Sequence, residues 1–143
     1  MKFRQQEINC VARAAGGHET GSATLLAIAL CAITVVLGLL VADLAGFAAA
    51  RAKAQAAADA AALAAAPITF RPFGAAGDPH AEAARFAAAN GAELVECTCQ
   101  RDFTWRLRSV AVRVEIAVSM FLLGDVVAGA VSHADFDPTR IAR

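Results

Sequence analysis

"RAKAQAAADAAALAAAP", Arg51 to Pro67, is close to a pure alanine helix with a hard stop. Alanine has the best helix propensity of all residues, and no Gly or Pro interrupts Phe47 to Ala66. Pro67 lacks an N–H and biases the residue before it away from helical angles, so the rod is predicted to end at Ala66. Arg51, Gln55 and Asp59 fall four apart on one polar face, and Leu63 extends that row with an apolar tip. The rest of the rod's surface is methyl groups. Such a surface offers little to a water-soluble ligand but lets a neighbouring backbone come close.

The stretch before the rod explains where such a helix would live. "SATLLAIALCAITVVLGLLVA", Ser22 to Ala42, carries no charge. At about 1.5 Å per residue it covers about 30 Å, the thickness of a hydrocarbon core. A cleaved signal peptide has a shorter apolar region, roughly 7–15 residues, so a retained membrane helix is expected. Ala48 to Ala50 could still serve a signal peptidase, which leaves a secreted, processed protein as an alternative. The helix is predicted to run on past Asp43 and Gly46 into the rod. Lys2, Arg4 and Arg13 precede the span, while Arg51 and Lys53 follow it. That small basic excess predicts an N-terminus in the cytoplasm and a C-terminal part outside.

Composition agrees with membrane contact. The 143 residues are 58% hydrophobic with a mean hydropathy of +0.52, enough for one small domain plus an appendage. The formal net charge of +0 gives no global attraction to nucleic acid.

Beyond Pro67, "ITFRPFGAAGDPH" reads as a Pro/Gly-rich connector. Asp78 and Pro79 read as the N-cap and first residue of a short helix that ends at Asn90-Gly91. "AELVECTCQ" reads as a strand with Val95, Cys97 and Cys99 on one face, and Arg101-Asp102 as a tight hairpin turn. Phe103, Trp105 and Leu107 alternate with polar residues, as do Val110, Val112, Val114, Ile116 and Val118. The phase shift between the two sets predicts a bulge or turn near Arg108-Ser109. "FLLGDVVAGAVSHADF" reads as a short helix or loop, and residues 137–143 as a frayed end. The fold class is α+β: a long transmembrane helix continuing into an Ala-rich helix, then a small helix with antiparallel strands. The expected organisation is a cytoplasmic lead (1–21), the helix (22–66), a linker (67–80) and a small extracytoplasmic domain (81–143).

The residues assemble no catalytic, cofactor-binding or metal site. Cys10, Cys31, Cys97 and Cys99 are too scattered for a disulfide framework. Cys97-Thr98-Cys99 could carry redox or metal chemistry, yet zinc needs about four ligands and no other Cys or His lies nearby. The plainer reading packs Cys97 as a small hydrophobe with Cys99 partly exposed. His80 between Asp78 and Glu82 reads as a solvated helix start. Trp105 with Phe103, Arg106 and Arg108 reads as a strand face rather than a nucleic-acid platform. No serine sits in a nucleophile motif and no glycine-rich phosphate loop occurs, so neither an enzyme nor a small-molecule substrate is expected.

"GSATLLAIAL" followed by "ARAKAQAAADAAALAAA" resembles the TadE/TadG-like family of pilus-assembly proteins, and "AARFAAANGAELVEC" with its Val-rich strands looks like small actinobacterial TadE-like members. The resemblance covers roughly Gly21 to Val118. It implies a pilin-like structural protein: a minor component of a Tad/Flp-type pilus or related secretion assembly, partnered with other pilin-like proteins through its N-terminal helix. Pilin-like proteins often carry a Gly where a prepilin peptidase cuts and a Glu five residues later. Gly21 before Ser22 matches as a candidate cleavage site, but the fifth residue on is Leu26. The rival reading is a membrane-anchored thiol module centred on Cys97 and Cys99.

At heptad spacing Thr24, Ala27, Cys31, Thr34, Gly38, Ala45, Ala48 and Ala52 form a stripe of small residues, with Val41 its one larger member. Lipid tails are as apolar as leucine, so membrane helices associate by close packing of small residues rather than by burial alone. The stripe is therefore expected to be a helix-packing seam. Its continuation into the alanine rod is the expected reason for the rod's bareness.

Overall fold

The computed structural model describes residues 20–70 and 77–140. Residues 1–19, residues 71–76 of the connector and the last three residues lie outside the described residues. Helix α1, Thr20–Ile68, is the continuous 49-residue rod expected from the sequence. It ends two residues later than predicted, because Pro67 enters its last turn. A proline there forfeits a single helical N–H bond, and the turn that follows closes on its own. The Thr69 hydroxyl and N–H both donate to the Ala66 carbonyl, at 2.6 and 3.3 Å, and Phe70 N–H donates to the Pro67 carbonyl at 3.2 Å.

The chain divides into two compact units, up to Leu40 and from Val41 to Arg143. The first is the apolar part of α1, whose described side chains are almost all exposed. The second holds the alanine rod, a short helix and a sheet.

Helix α2, Pro79–Ala89, starts as the sequence predicts: Asp78 is extended and its carboxylate accepts from Ala81 N–H at 3.2 Å, with Pro79 at the first turn. It closes at Asn90, and Gly91 follows at φ 72°, a left-handed conformation that glycine adopts without strain.

Strands β1 (Glu93–Thr98), β2 (Arg108–Met120) and β3 (Gly124–Phe136) form an antiparallel sheet in the order β1-β2-β3. β2 is the Val-rich strand, and its Val110, Val112 and Val114 are fully buried. Three expectations are corrected here. Arg101-Asp102 is no hairpin turn, and Phe103, Trp105 and Leu107 lie in an irregular connection with exposed side chains. Asp102 instead folds back on Thr104, whose N–H and hydroxyl both reach its carboxylate, so the chain cannot continue as a ladder. The segment read as a helix or loop is β3, paired with β2 from Met120↔Gly124 to Arg108↔Phe136. Its inward positions are Val126, Ala128, Ala130, Ser132, Ala134 and Phe136, mostly small residues of weak strand preference; pairing with β2 overrides that weakness. Finally, a bulge between Leu94 and Glu96 turns Val95 outward, so Leu94 and Cys97 reach the core and Val95 does not.

One buried cluster joins Ala54, Ala57, Ala58, Ala61, Ala62, Ala65 and Ala66 of α1 to Ala83 and Ala87 of α2 and the three valines of β2. The rod is bare because its methyl face packs within its own unit. Lengths match: Asp43 to Thr69 rises about 39 Å along a helix, and the thirteen residues of β2 extend about 43 Å. Contacts pin both ends. Arg108 at the start of β2 donates to the Thr69 carbonyl at 3.0 Å, and the turn after β2 bonds to Asp43.

Candidate functional site

The apolar part of α1 is the surface that needs a partner. It lies in a helix long and apolar enough to cross a membrane, and none of the most apolar stretch is buried. Its bulky residues from Leu25 to Leu40 are 44–70% exposed where they are large hydrophobics on the surface. In water such a surface would be strongly unfavourable; in a bilayer it meets its own kind.

On that helix Thr24, Ala27, Cys31, Thr34, Gly38, Ala45, Ala48 and Ala52 are all exposed. A Cβ built on Gly38 would meet nothing within 4 Å beyond its own stretch of helix, so among the described residues that position is open. The Thr34 hydroxyl donates to the Cys31 carbonyl at 2.8 Å, which ties it to its own helix. Cys31 is a free, exposed cysteine. Gly21 and Ser22 lie in the first turns of α1, also exposed. The alanines that the structure buries are a different set, beginning at Ala54.

The polar face of the rod is present. Gln55 Nε2 donates to Asp59 Oδ1 at 3.0 Å, and Leu63 is exposed beyond them. Arg51 and Gln55 line an open cleft of about 480 Å³ with Arg113, Glu115, Gly129, Ala130 and Val131. Lys53 extends over Gly91: a Cβ there would come within 2.8 Å of Nζ.

Asp43 is the residue that sequence reasoning missed. Only 5% exposed, it accepts from Phe121 N–H at 2.8 Å and from Leu122 N–H at 2.9 Å, one bond to each carboxylate oxygen. Two bonds to one carboxylate satisfy the buried charge and tie the β2–β3 turn to the helix. The available signal was a lone acid directly after an uncharged run.

At the other end Arg108 gathers three carbonyls, those of Thr69, Asp102 and Thr104, and lies 5.2 Å from the Phe70 ring centre. Trp105 meets the Phe70 ring edge-on at 4.9 Å. The Asp102 carboxyl is held below its ordinary range, first by the Thr104 hydroxyl and then by the Thr104 N–H. These are structural roles. The helix start at Asp78 is likewise committed: its acid caps α2, and Glu82 is held below its usual range chiefly by its hydrogen bond to Arg85.

Cys97 and Cys99 are paired as a disulfide, with their Cα atoms 5.4 Å apart. This differs from the expectation of two separate thiols. β1 ends at Thr98, so Cys99 leaves the strand and its side chain can close on Cys97.

No curated protein matches this chain, and no solved structure does. A family model does: residues 21–67, covering nearly all of α1, match Tad, the putative Flp pilus-assembly TadE/G-like family, and that helix is the Tad-like part of the chain.

Proposed function

We propose that the chain is a membrane-anchored, pilin-like structural component of a Tad/Flp-type pilus or a related secretion assembly. α1 crosses the membrane with its N-terminus in the cytoplasm, and the Val41–Arg143 unit stands outside. The observation that carries this reading is an exposed apolar helix, bearing a stripe of small residues, within the segment that matches a pilus-assembly family.

The work of the protein is helix association. The stripe from Thr24 to Ala52 is the seam on which the helix of another pilin-like protein packs, backbone close to backbone. Gly21-Ser22 is the candidate cleavage point; cutting there leaves a mature chain that starts at Ser22 and keeps its membrane helix.

Co-purification from membranes containing the full assembly tests the reading. Thr34→Leu with Gly38→Leu should abolish association, because both positions are open and enlarging them leaves the rest of the chain unstrained. Leu37→Ala should change little. Undiminished association of the double variant would refute the seam.

A further inference from the structure

We propose that the β2–β3 turn is a second membrane contact: Phe121, Leu122 and Leu123 dip into the lipid interface beside the point where α1 leaves the bilayer. The proposal rests on the reading of α1 as a membrane helix and goes beyond it.

Hairpin turns in water favour Gly, Asn and Asp, because these residues suit both the backbone and the solvent. This turn has three large apolar residues in a row. Phe121, Leu122 and Leu123 are 81%, 45% and 68% exposed, and no core covers them. Their occupant follows from what holds them. Asp43, which fixes the turn through two hydrogen bonds, is the first charged residue after the uncharged run Ser22–Ala42. If that run fills the hydrocarbon core, Asp43 marks its outer edge and the turn lies at the same level. Val41 and Leu44, on either side of Asp43 in the sequence, are exposed as well.

The backbone is suited to that depth. An unsatisfied N–H is costly where water is scarce. Asp43 accepts the N–H groups of both Phe121 and Leu122, so the turn carries those donors into the interface already paired. The change from apolar to polar is abrupt. One rung behind the Met120↔Gly124 pair, Ser119 and Asp125 face each other across the strands and hydrogen-bond at 2.6 Å. Only the tip is therefore suited to lipid, and its insertion is shallow, about 5–10 Å as for interfacial segments generally.

The test uses the full chain reconstituted in phosphatidylcholine–phosphatidylglycerol vesicles whose acyl chains are brominated near the glycerol end. Trp105 is the protein's single tryptophan, so Trp105→Phe gives a silent background. Into it Phe121→Trp is introduced, with Leu37→Trp as a report on α1 and Val127→Trp, exposed on β3, as a report on the sheet. The expected result is blue-shifted emission from position 121 that loses most of its intensity in the brominated vesicles, with position 37 quenched and position 127 not. Quenching at position 37 without quenching at 121 would overturn the proposal and leave the membrane helix standing. A blue shift at 121 that bromine does not quench would place the turn against protein and overturn it too. Quenching at neither position would overturn the membrane reading and the proposal together.

Discussion

Two stretches of α1 solve opposite problems with the same backbone. From Leu25 to Leu40 the helix presents large aliphatic side chains outward, with nothing among the described residues to cover them. From Ala54 to Ala66 it presents methyl groups, and seven of those alanines are buried. The first stretch suits a fluid surround that fills any gap around a branched side chain. The second suits a preformed sheet, where each added methylene must displace something. Side-chain size along one helix thus follows what the chain sets against it: bulk where the described residues leave the helix exposed, methyl groups where the sheet and α2 pack on it.

The comparison breaks most visibly if the rod tolerates bulk. Ala61→Leu enlarges a fully buried position and should cost about 1–3 kcal/mol of unfolding free energy, read by denaturant titration in detergent. Ala27→Leu, in the exposed stretch, should leave stability within about 0.5 kcal/mol. Equal effects would mean that the two stretches do not differ in what they touch.

Asp43 stands between the two regimes, and Asp43→Ala sharpens their border. Removing the carboxylate leaves the Phe121 and Leu122 N–H groups without their acceptor, a loss of about 1–3 kcal/mol. Hydrogen exchange should speed up at those two amides first, while the amides of α2 stay protected. Uniform acceleration would show that the turn is not held separately.

Much of this was legible in the sequence because it rests on local rules. An uncharged run of membrane length, an alanine rod, Asp78-Pro79 and Asn90-Gly91 each act within a few residues, and each holds in the structure. β3 was not legible, since Ala128, Ala130 and Ala134 have little strand preference and become a strand only by pairing with β2. Val95 and the Phe103–Leu107 alternation differ from the sequence expectation for another reason: a bulge inside β1 and a side-chain hydrogen bond from Thr104 to Asp102 break patterns that look regular in sequence. The rod's bareness was read as a surface for another helix, when its buried face serves the chain's own core. Nothing local to Asp43 names a partner 78 residues away.

Smaller effects probe the frame around the rod. Gly91→Ala must hold a left-handed conformation and displace the end of Lys53, costing about 1–2 kcal/mol. Gly38→Ala should cost nothing of the kind, as its surroundings are open. The Asp102 turn should respond weakly to pH. Its carboxyl is held below the ordinary value of 3.8, so its contribution is complete above that value and is lost as pH falls through the lower folded value. Carboxyl NMR of Asp102 checks the direction: a midpoint at or above 3.8 would contradict the Thr104 contacts.

The central claim is that the small-residue stripe, rather than the buried alanine face, is where another helix packs. Cys31 lies in that stripe as a free, exposed thiol and gives the most direct measurement. In membranes containing the full assembly, a short thiol cross-linker should join Cys31 to a copy of itself, or to a partner thiol at matching depth. Enlarging Thr34 and Gly38 together to Leu should abolish the product, and Leu37→Ala should leave it unchanged. A cross-linked yield that survives the double enlargement would contradict the account and reduce α1 to an anchor.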